Sequence, residues 1–138
     1  PTSLEDEVTL ESVEKIIGKV GFHRTAELVE LLLKGDLKKS LEYVAKINET
    51  GYNIIDLNKE LIHYLRRALS LKFDPELENL FKHELTEKEL ETLKKHSELV
   101  KPEKHVSLIK SLIRAYSEMR YSPFASVPLE VAIIENLS

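Results

Sequence analysis

The chain has 138 residues, a net charge of −4 and a pI near 5.8, which fits a single mildly acidic domain. It contains no cysteine, so disulfides and thiolate metal sites are excluded. No apolar run reaches the roughly 20 residues that a membrane span needs, so none is expected. No charged-then-apolar stretch opens the sequence, so a signal peptide is not expected either. The acidic balance also argues against a typical binder of the phosphate backbone of nucleic acids.

The composition favours helices along the whole chain. Leu, Glu and Lys lose little side-chain freedom in a helix, and they number 23, 20 and 15. Only 4 Gly and 5 Pro interrupt them, which argues against disordered or loop-rich classes. The chain opens on Pro1 without an initiator Met, so we expect a processed chain or a piece excised from a longer protein.

The first predicted helix is short and begins at Thr9, whose hydroxyl can cap free amide groups. Gly18 and Gly21 bracket its predicted end. We expect residues 1–20 to be the end of a preceding segment and residues 21–138 to form one helical domain.

Two further helices are predicted from Arg24 to Lys34 and from Leu37 to about Gly51. Gly35 is a natural left-handed terminator for the first, and Asp36 can cap the second. Because so little chain joins them, they should form a tight antiparallel hairpin.

The longest predicted helix runs from Ile54 to about Phe73, between a cap at Asn53 and a stop at Asp74-Pro75. Its apolar residues fall on two adjoining stripes, which is typical of a central helix with a wide apolar face. The stripes consist of Ile54, Leu57, Leu61, Leu65 and Ala68, and of Ile55, Ile62 and Leu69.

The next part of the chain is predicted to hold a short helical turn over 75–84 and two helices. A capping box at Thr86 opens the first of these, which is expected to fade in the polar run 94–97. Pro102 suits the first position of the second, which again has two apolar stripes. One of these stripes contains Val106, Ile109, Ile113 and Tyr116, and the other Leu108, Leu112, Ala115 and Met119.

A last helix is predicted after a break at Tyr121–Phe124, with Ser126 as its cap and Pro128 near its first turn. Apolar residues surround most of it, so it is either a core helix or one whose outer side meets another chain. Together these elements predict an all-α fold, a compact bundle of about five to seven helices.

Motifs for chemistry are nearly absent. Glu60 and His63 form one E-x-x-H, half of a di-iron carboxylate site, but no second E-x-x-H exists, so an exposed polar pair is the simpler interpretation. The five scattered histidines are expected at the surface. No nucleophile elbow or glycine-rich phosphate loop is present, so the chain by itself should neither bind nor hydrolyse ATP.

Basic residues give the two long helices a positive side, which we interpret as a solvated or subunit-facing surface in preference to a nucleic-acid contact. On the first helix these residues are Lys59, Arg66, Arg67 and Lys72, and on the second Lys101, Lys104, Lys110, Arg114 and Arg120.

Four segments, in this order, resemble parts of one known domain. Residues 8–18 resemble the segment that closes the lid domain of clamp-loader ATPases, and residues 28–41 resemble the leucine-rich hairpin with a Gly-Asp turn. Residues 61–69 resemble the helix that follows this hairpin, and residues 119–134 resemble an S-P…P-L-E ending. The chain thus resembles, along nearly its whole length, the third domain of the gamma/tau subunit of bacterial DNA polymerase III, the clamp loader. Ala125-Ser126 departs from the family, which often carries an Arg there.

The resemblance implies a function in assembly. It implies a helical collar in which clamp-loader subunits pack side by side into a five-membered ring. The subunits are gamma/tau copies, delta and delta-prime, so the resemblance allows copies of this chain to associate with one another. The implied location is the bacterial cytoplasm. The resemblance also implies that ATP and magnesium belong to ATPase domains outside this sequence, and that residues 1–20 are the end of the lid. We therefore expect no catalytic, cofactor or metal site and no direct DNA contact.

The outer stripes of the two long helices and the apolar last helix supply the candidate interface residues. Their predicted role is packing and salt bridging to neighbouring subunits. They are Tyr64, Arg67, Leu71, Tyr116, Met119, Arg120, Tyr121 and Phe124. The alternatives that stay open are the collar domain of the related delta subunit, a generic helical adaptor, a nucleic-acid-binding helical domain and a metal-dependent bundle.

Overall fold

The computed structural model describes residues 21–138, and within this range the chain forms seven α-helices, one 3-10 turn and no strand. Residues 21–34 form α1. The other elements are α2 (Leu37–Glu49), α3 (Ile54–Phe73), a 3-10 turn (Pro75–Leu77), α4 (Glu78–Phe81), α5 (Glu87–Leu99), α6 (Pro102–Met119) and α7 (Ser126–Leu137). The predicted all-α class is confirmed. The helix predicted from Thr9 lies outside the described residues.

The connection between α1 and α2 is as short as predicted. Gly35 adopts a left-handed φ of 75°, its N–H donates to the Leu32 carbonyl at 3.1 Å, and Asp36 N–H donates to the Leu31 carbonyl at 3.0 Å. This pair of bonds is a Schellman motif. The Asp36 side chain then caps α2 by accepting from Lys39 N–H at 3.1 Å. Helix α1 already includes Gly21, the first described residue, so the predicted start at Arg24 is late.

Helix α3 is central, as its two stripes predicted. Its inner stripe is buried, its second stripe is half-buried, and it packs against both α5 and α6. The Asn53 side chain caps it by accepting from Ile55 and Asp56 N–H at 2.8 and 3.2 Å. This arrangement places one long face of α3 in the core and leaves the other at the surface.

Helix α5 is longer than predicted. The capping box between Thr86 and Glu89 is formed at its start, but the helix does not fade in the polar run 94–97 and continues to Leu99. His96 and Ser97 in that run are buried, because α5 turns this side towards α3. His105 at the start of α6 is buried as well. The expectation of surface histidines is therefore wrong at these two positions.

Helices α6 and α7 pack against each other, and α7 also packs on α2. The inner side of α7 contributes Leu129, Ala132 and Ile133 to the core. Ser126 does not cap this helix, since it is the first helical residue and Ala125 before it makes no side-chain cap. No helix in residues 21–138 combines the length and apolarity that crossing a bilayer requires.

Candidate subunit interface

The outward side of α7 is apolar. Val127, Val131 and Ile134 recur at i, i+4 and i+7, which places them on one face of the helix. They are 45%, 44% and 43% exposed, whereas Leu129 and Ile133 on the opposite side are fully buried. An apolar row on the solvent side of a helix is typical of a surface that a partner covers. We call these three residues the α7 outer face.

Two aromatic side chains precede this face in the turn between α6 and α7. Tyr121 is 86% and Phe124 69% exposed. The turn is ordered by Ser122, whose Oγ accepts from Phe124 N–H at 3.1 Å and donates to the Phe124 carbonyl at 3.0 Å. Phe124 O in turn accepts from Val127 N–H at 3.1 Å. These bonds hold the aromatic residues in a defined turn beside the start of α7.

A second surface runs along the contact between α3 and α6. The Asn58 side chain on α3 is buried and donates from Nδ2 to the Leu112 carbonyl of α6 at 2.9 Å. Its helical neighbours Ile55 and Ile62 are half-buried, and on α6 Ile113 is 52% exposed. Such residues lie beside the contact and remain partly open to solvent. The apolar part of this α3–α6 seam consists of Ile55, Ile62, Leu69, Ile109, Ile113 and Tyr116.

Basic side chains alternate with the apolar residues of the α3–α6 seam. On α3, Lys59 lies one helical turn before Ile62, and Arg66 lies one turn after it. On α6, Lys110 and Arg120 occupy equivalent positions beside Ile113 and Tyr116. All four basic side chains are exposed, so the seam is an apolar strip with a positive rim.

Three of the predicted interface residues are core residues. Tyr64, Leu71 and Met119 are 5%, 4% and 2% exposed. The Tyr64 hydroxyl lies 2.5 Å from Nδ1 of His96, and its ring packs 5.3 Å from the Phe22 ring. Burial and the nearby Glu30 carboxylate raise the pKa of Tyr64 well above its ordinary value. These side chains contact the chain's own interior, so any influence on a partner would act through the residues that they support.

Arg67 is held within the chain, because it forms an ion pair with Glu84 and lies over the Phe81 ring at 5.4 Å. It fastens the short helix α4 and the turn after it to α3. Among the other predicted residues, Tyr116 is half-buried and Arg120 is exposed.

Tyr121 and Phe124 lie in the turn that leads into α7, and Phe124 is hydrogen-bonded to Val127, which the sequence prediction did not name as an interface residue. The three residues of the α7 outer face were missed individually, although the last helix was expected either in the core or against another chain. The available signal was the apolar positions all round α7, because a helix of a small bundle cannot bury every side.

The E-x-x-H of α3 does not act as a pair. Glu60 accepts from the Tyr52 hydroxyl at 2.6 Å and from the Thr25 hydroxyl at 3.1 Å, while His63 points into solvent. Burial, followed by the hydrogen bond to Glu60, raises the pKa of Tyr52 to about 12. Residues 21–138 contain no group of three acidic or histidine side chains placed to hold a metal ion. Glu60 therefore ties α3 to α1 and to Tyr52 in the connection that precedes α3.

Comparison with known families gives a match over nearly the whole chain. The family model for domain III of the DNA polymerase III subunits gamma and tau matches residues 8–138. Comparisons with curated proteins and with solved structures give no significant match.

Proposed function

The chain belongs to the family of domain III of the DNA polymerase III subunits gamma and tau, and we propose that it is the collar domain that assembles clamp-loader subunits. On this proposal its task is to hold the ATPase domains of neighbouring subunits in place while they load the sliding clamp. The domain itself performs no chemistry. ATP and magnesium are used by ATPase domains outside this sequence, and the site of action is the bacterial cytoplasm.

The α7 outer face and the aromatic turn before it carry this proposal. A helix that buries one side in its own core and exposes Val127, Val131 and Ile134 on the other has apolar surface to offer a partner. Exposed aromatic residues such as Phe124 and Tyr121 are also the residue type enriched at protein interfaces. Delta, delta-prime and further gamma/tau copies are the partners we propose.

The test is assembly with the other subunits. The chain is mixed with delta and delta-prime of the same organism without nucleotide, and the mixture is examined by size exclusion with light scattering. We expect a mixed complex that Phe124→Glu and Val131→Glu weaken, since each places a charge on the proposed contact. Leu80→Glu is the matched control, because Leu80 is 63% exposed on α4, away from this surface.

Circular dichroism separates assembly from folding in this experiment. Both interface variants should keep the helical spectrum of the parent chain. The absence of a mixed complex with the parent chain at micromolar concentrations would contradict the proposal, and so would equal weakening by the control variant.

A further inference from the structure

A cavity of about 310 Å³ lies where the ends of three helices meet. Its walls are the carboxyl end of α1, the amino end of α6 and the carboxyl end of α7. None of the three residues of the α7 outer face lines it. A water molecule takes up about 30 Å³ in the liquid, so the cavity has room for roughly ten waters or for one small ligand.

Positive charge lines this cavity, although the chain is acidic overall. Lys34 reaches it from α1, and Lys101 and Lys104 reach it from the start of α6. Among the described residues that line it, none is Asp or Glu. A helix end contributes a partial charge of only about 0.5, so three ammonium groups outweigh the negative carboxyl ends of α1 and α7. The cavity therefore favours an anion.

The three lysines have little other use in the described part of the chain. The Lys34 Nζ lies 3.7 Å from a Glu30 carboxylate oxygen, which is longer than a direct hydrogen bond, and both side chains are about half exposed. Within residues 21–138, Lys101 and Lys104 form no ion pair. Glu103, which lies between them in the sequence, does not line the cavity. The ammonium groups are thus available to an anion that enters.

His105 supplies a fixed donor at the wall of the cavity. It is 6% exposed, and its Nδ1 accepts the Lys101 N–H at 2.7 Å. Burial, followed by Lys101 and Lys104, lowers the pKa of His105, so the ring is neutral at pH 7 and its proton lies on Nε2. The described residues provide no acceptor for this Nε2–H, and the atom is not sealed within the core. It needs an acceptor from outside the chain, which an anion oxygen in the cavity supplies.

We propose that this cavity binds a small anion that carries a diphosphate group. A diphosphate carries about three negative charges near neutral pH, which match the three ammonium groups. Its oxygens accept charge-assisted hydrogen bonds from lysine, and one of them accepts from His105 Nε2. A single phosphate or carboxylate would neutralise less of this charge and fill less of the volume. Such a site is independent of the proposed assembly function.

A titration of the full chain with pyrophosphate, without magnesium and followed by NMR, tests the site. The ring signals of the histidines report on the cavity, because His105 lines it and His63 lies at the surface of α3. We expect a saturable shift at His105 with a Kd below about 1 mM at low salt, and no shift at His63. Added salt should weaken binding, since the three lysines are exposed to solvent.

Lys104→Gln and Lys110→Gln form a matched pair of variants on α6. Each replaces an exposed lysine by a neutral amide, but only Lys104 lines the cavity. Lys104→Gln should weaken pyrophosphate binding about tenfold, because it removes one charge-assisted hydrogen bond, and Lys110→Gln should bind like the parent chain. Lys34→Gln should act like Lys104→Gln from the opposite wall. All three variants should keep the helical circular dichroism of the parent chain.

AMP and ADP distinguish the sources of the phosphate groups. ADP that binds at least as tightly as pyrophosphate would support a nucleoside diphosphate as the ligand, and weaker binding of ADP would support the free diphosphate. AMP that binds as tightly as pyrophosphate would overturn the proposed diphosphate site. The absence of a saturable shift at His105 up to about 10 mM pyrophosphate would also overturn it, and so would equal weakening by Lys104→Gln and Lys110→Gln.

Discussion

Helices α5 and α7 have nearly the same length, 13 and 12 residues, and opposite relations between sequence and burial. The polar helix α5 buries His96 and Ser97, whereas the apolar helix α7 leaves Val127, Val131 and Ile134 exposed. This difference shows that the polarity of a side chain alone does not decide whether it is buried within the bundle. A buried polar group is tolerated where it finds a hydrogen-bond partner, and an exposed apolar row is useful where a partner chain covers it.

The partners of α5 explain its burial. The Tyr64 hydroxyl bonds to Nδ1 of His96, and the other ring nitrogen of His96 points towards Glu30 at 3.7 Å. The Ser97 hydroxyl donates to the Lys94 carbonyl at 2.6 Å. The Tyr64 hydroxyl, Nδ1 of His96 and the Ser97 hydroxyl thus have hydrogen-bond partners on the chain itself, which offset the cost of desolvation. Helix α7 has no comparable use for its outer residues within the described chain.

The largest expected difference is between substitutions on the two sides of α7, measured by their effect on the free energy of unfolding. Leu129→Ala deletes a fully buried side chain and is expected to lower the free energy of unfolding by about 2–5 kcal/mol. Val131→Ala on the outer face should change it by about 0.5 kcal/mol or less in the monomer. Urea unfolding followed by circular dichroism measures both. Similar losses for the two variants would mean that the outer face is already covered within the chain.

The pH dependence should come from the buried histidines, with α5 as the clearer case. Burial lowers the pKa of His96, the Glu30 carboxylate opposes this, and Lys34 and Lys95 add to it. The unfolded chain then binds a proton below about pH 6.5 that the folded chain excludes. Stability should therefore be highest at neutral pH and fall as the pH drops through 6.5, by at most about 1.4 kcal/mol per pH unit for each histidine.

His105 acts in the same direction. Burial, together with Lys101 and Lys104, lowers its pKa, and its Nδ1 accepts the Lys101 N–H at 2.7 Å, which requires an unprotonated nitrogen. Urea unfolding at pH 7.5 and 5.5 gives the slope of the free energy of unfolding against pH for the parent chain. His96→Gln and His105→Gln should each flatten it, and His63→Gln at the surface is the control. A slope unchanged by both core substitutions would contradict this assignment.

The smallest expected difference is between the N-terminal ends of α5 and α7, measured by the effect of removing a hydroxyl on the free energy of unfolding. Thr86→Ala removes the hydroxyl of a complete capping box and is expected to lower the free energy of unfolding by about 1 kcal/mol. Ser126→Ala removes a hydroxyl that caps nothing, so a change within about 0.5 kcal/mol is expected. Thermal unfolding of the pair provides the comparison, and a loss at Ser126 equal to that at Thr86 would show a capping function for Ser126.

The sequence predicted most of the fold because the signals were local. Gly35, Asp36, Asn53 and Thr86 act within one helical turn, and each has the predicted conformation or cap. The predicted cap at Ser126 is wrong because residue type alone does not fix the backbone. A serine at the start of an apolar helix is a suitable residue for a cap, but capping also requires a non-helical backbone, and Ser126 is helical.

The candidate interface was harder to predict because it depends on which helices pack together. Tyr64 and Met119 lie on helices correctly expected to have wide apolar faces, yet both point inward. Helical periodicity ranks residues around a helix, but it cannot show which part of a wide face meets α5, α6 or solvent. Among the predicted apolar and aromatic residues, the structure leaves Tyr121 and Phe124 most exposed, and both lie in a turn outside any helix face.

The sequence by itself determined the helical class, the hairpin between α1 and α2, the central position of α3 and the resemblance to a known domain, since these follow from composition, caps, periodicity and the order of short motifs. Only the tertiary structure decided that α5 would bury His96 against Tyr64 and that α7 would turn Val127, Val131 and Ile134 outward. These outcomes depend on contacts between residues far apart in the chain, where packing and hydrogen-bond partners outweigh the preference of any single segment.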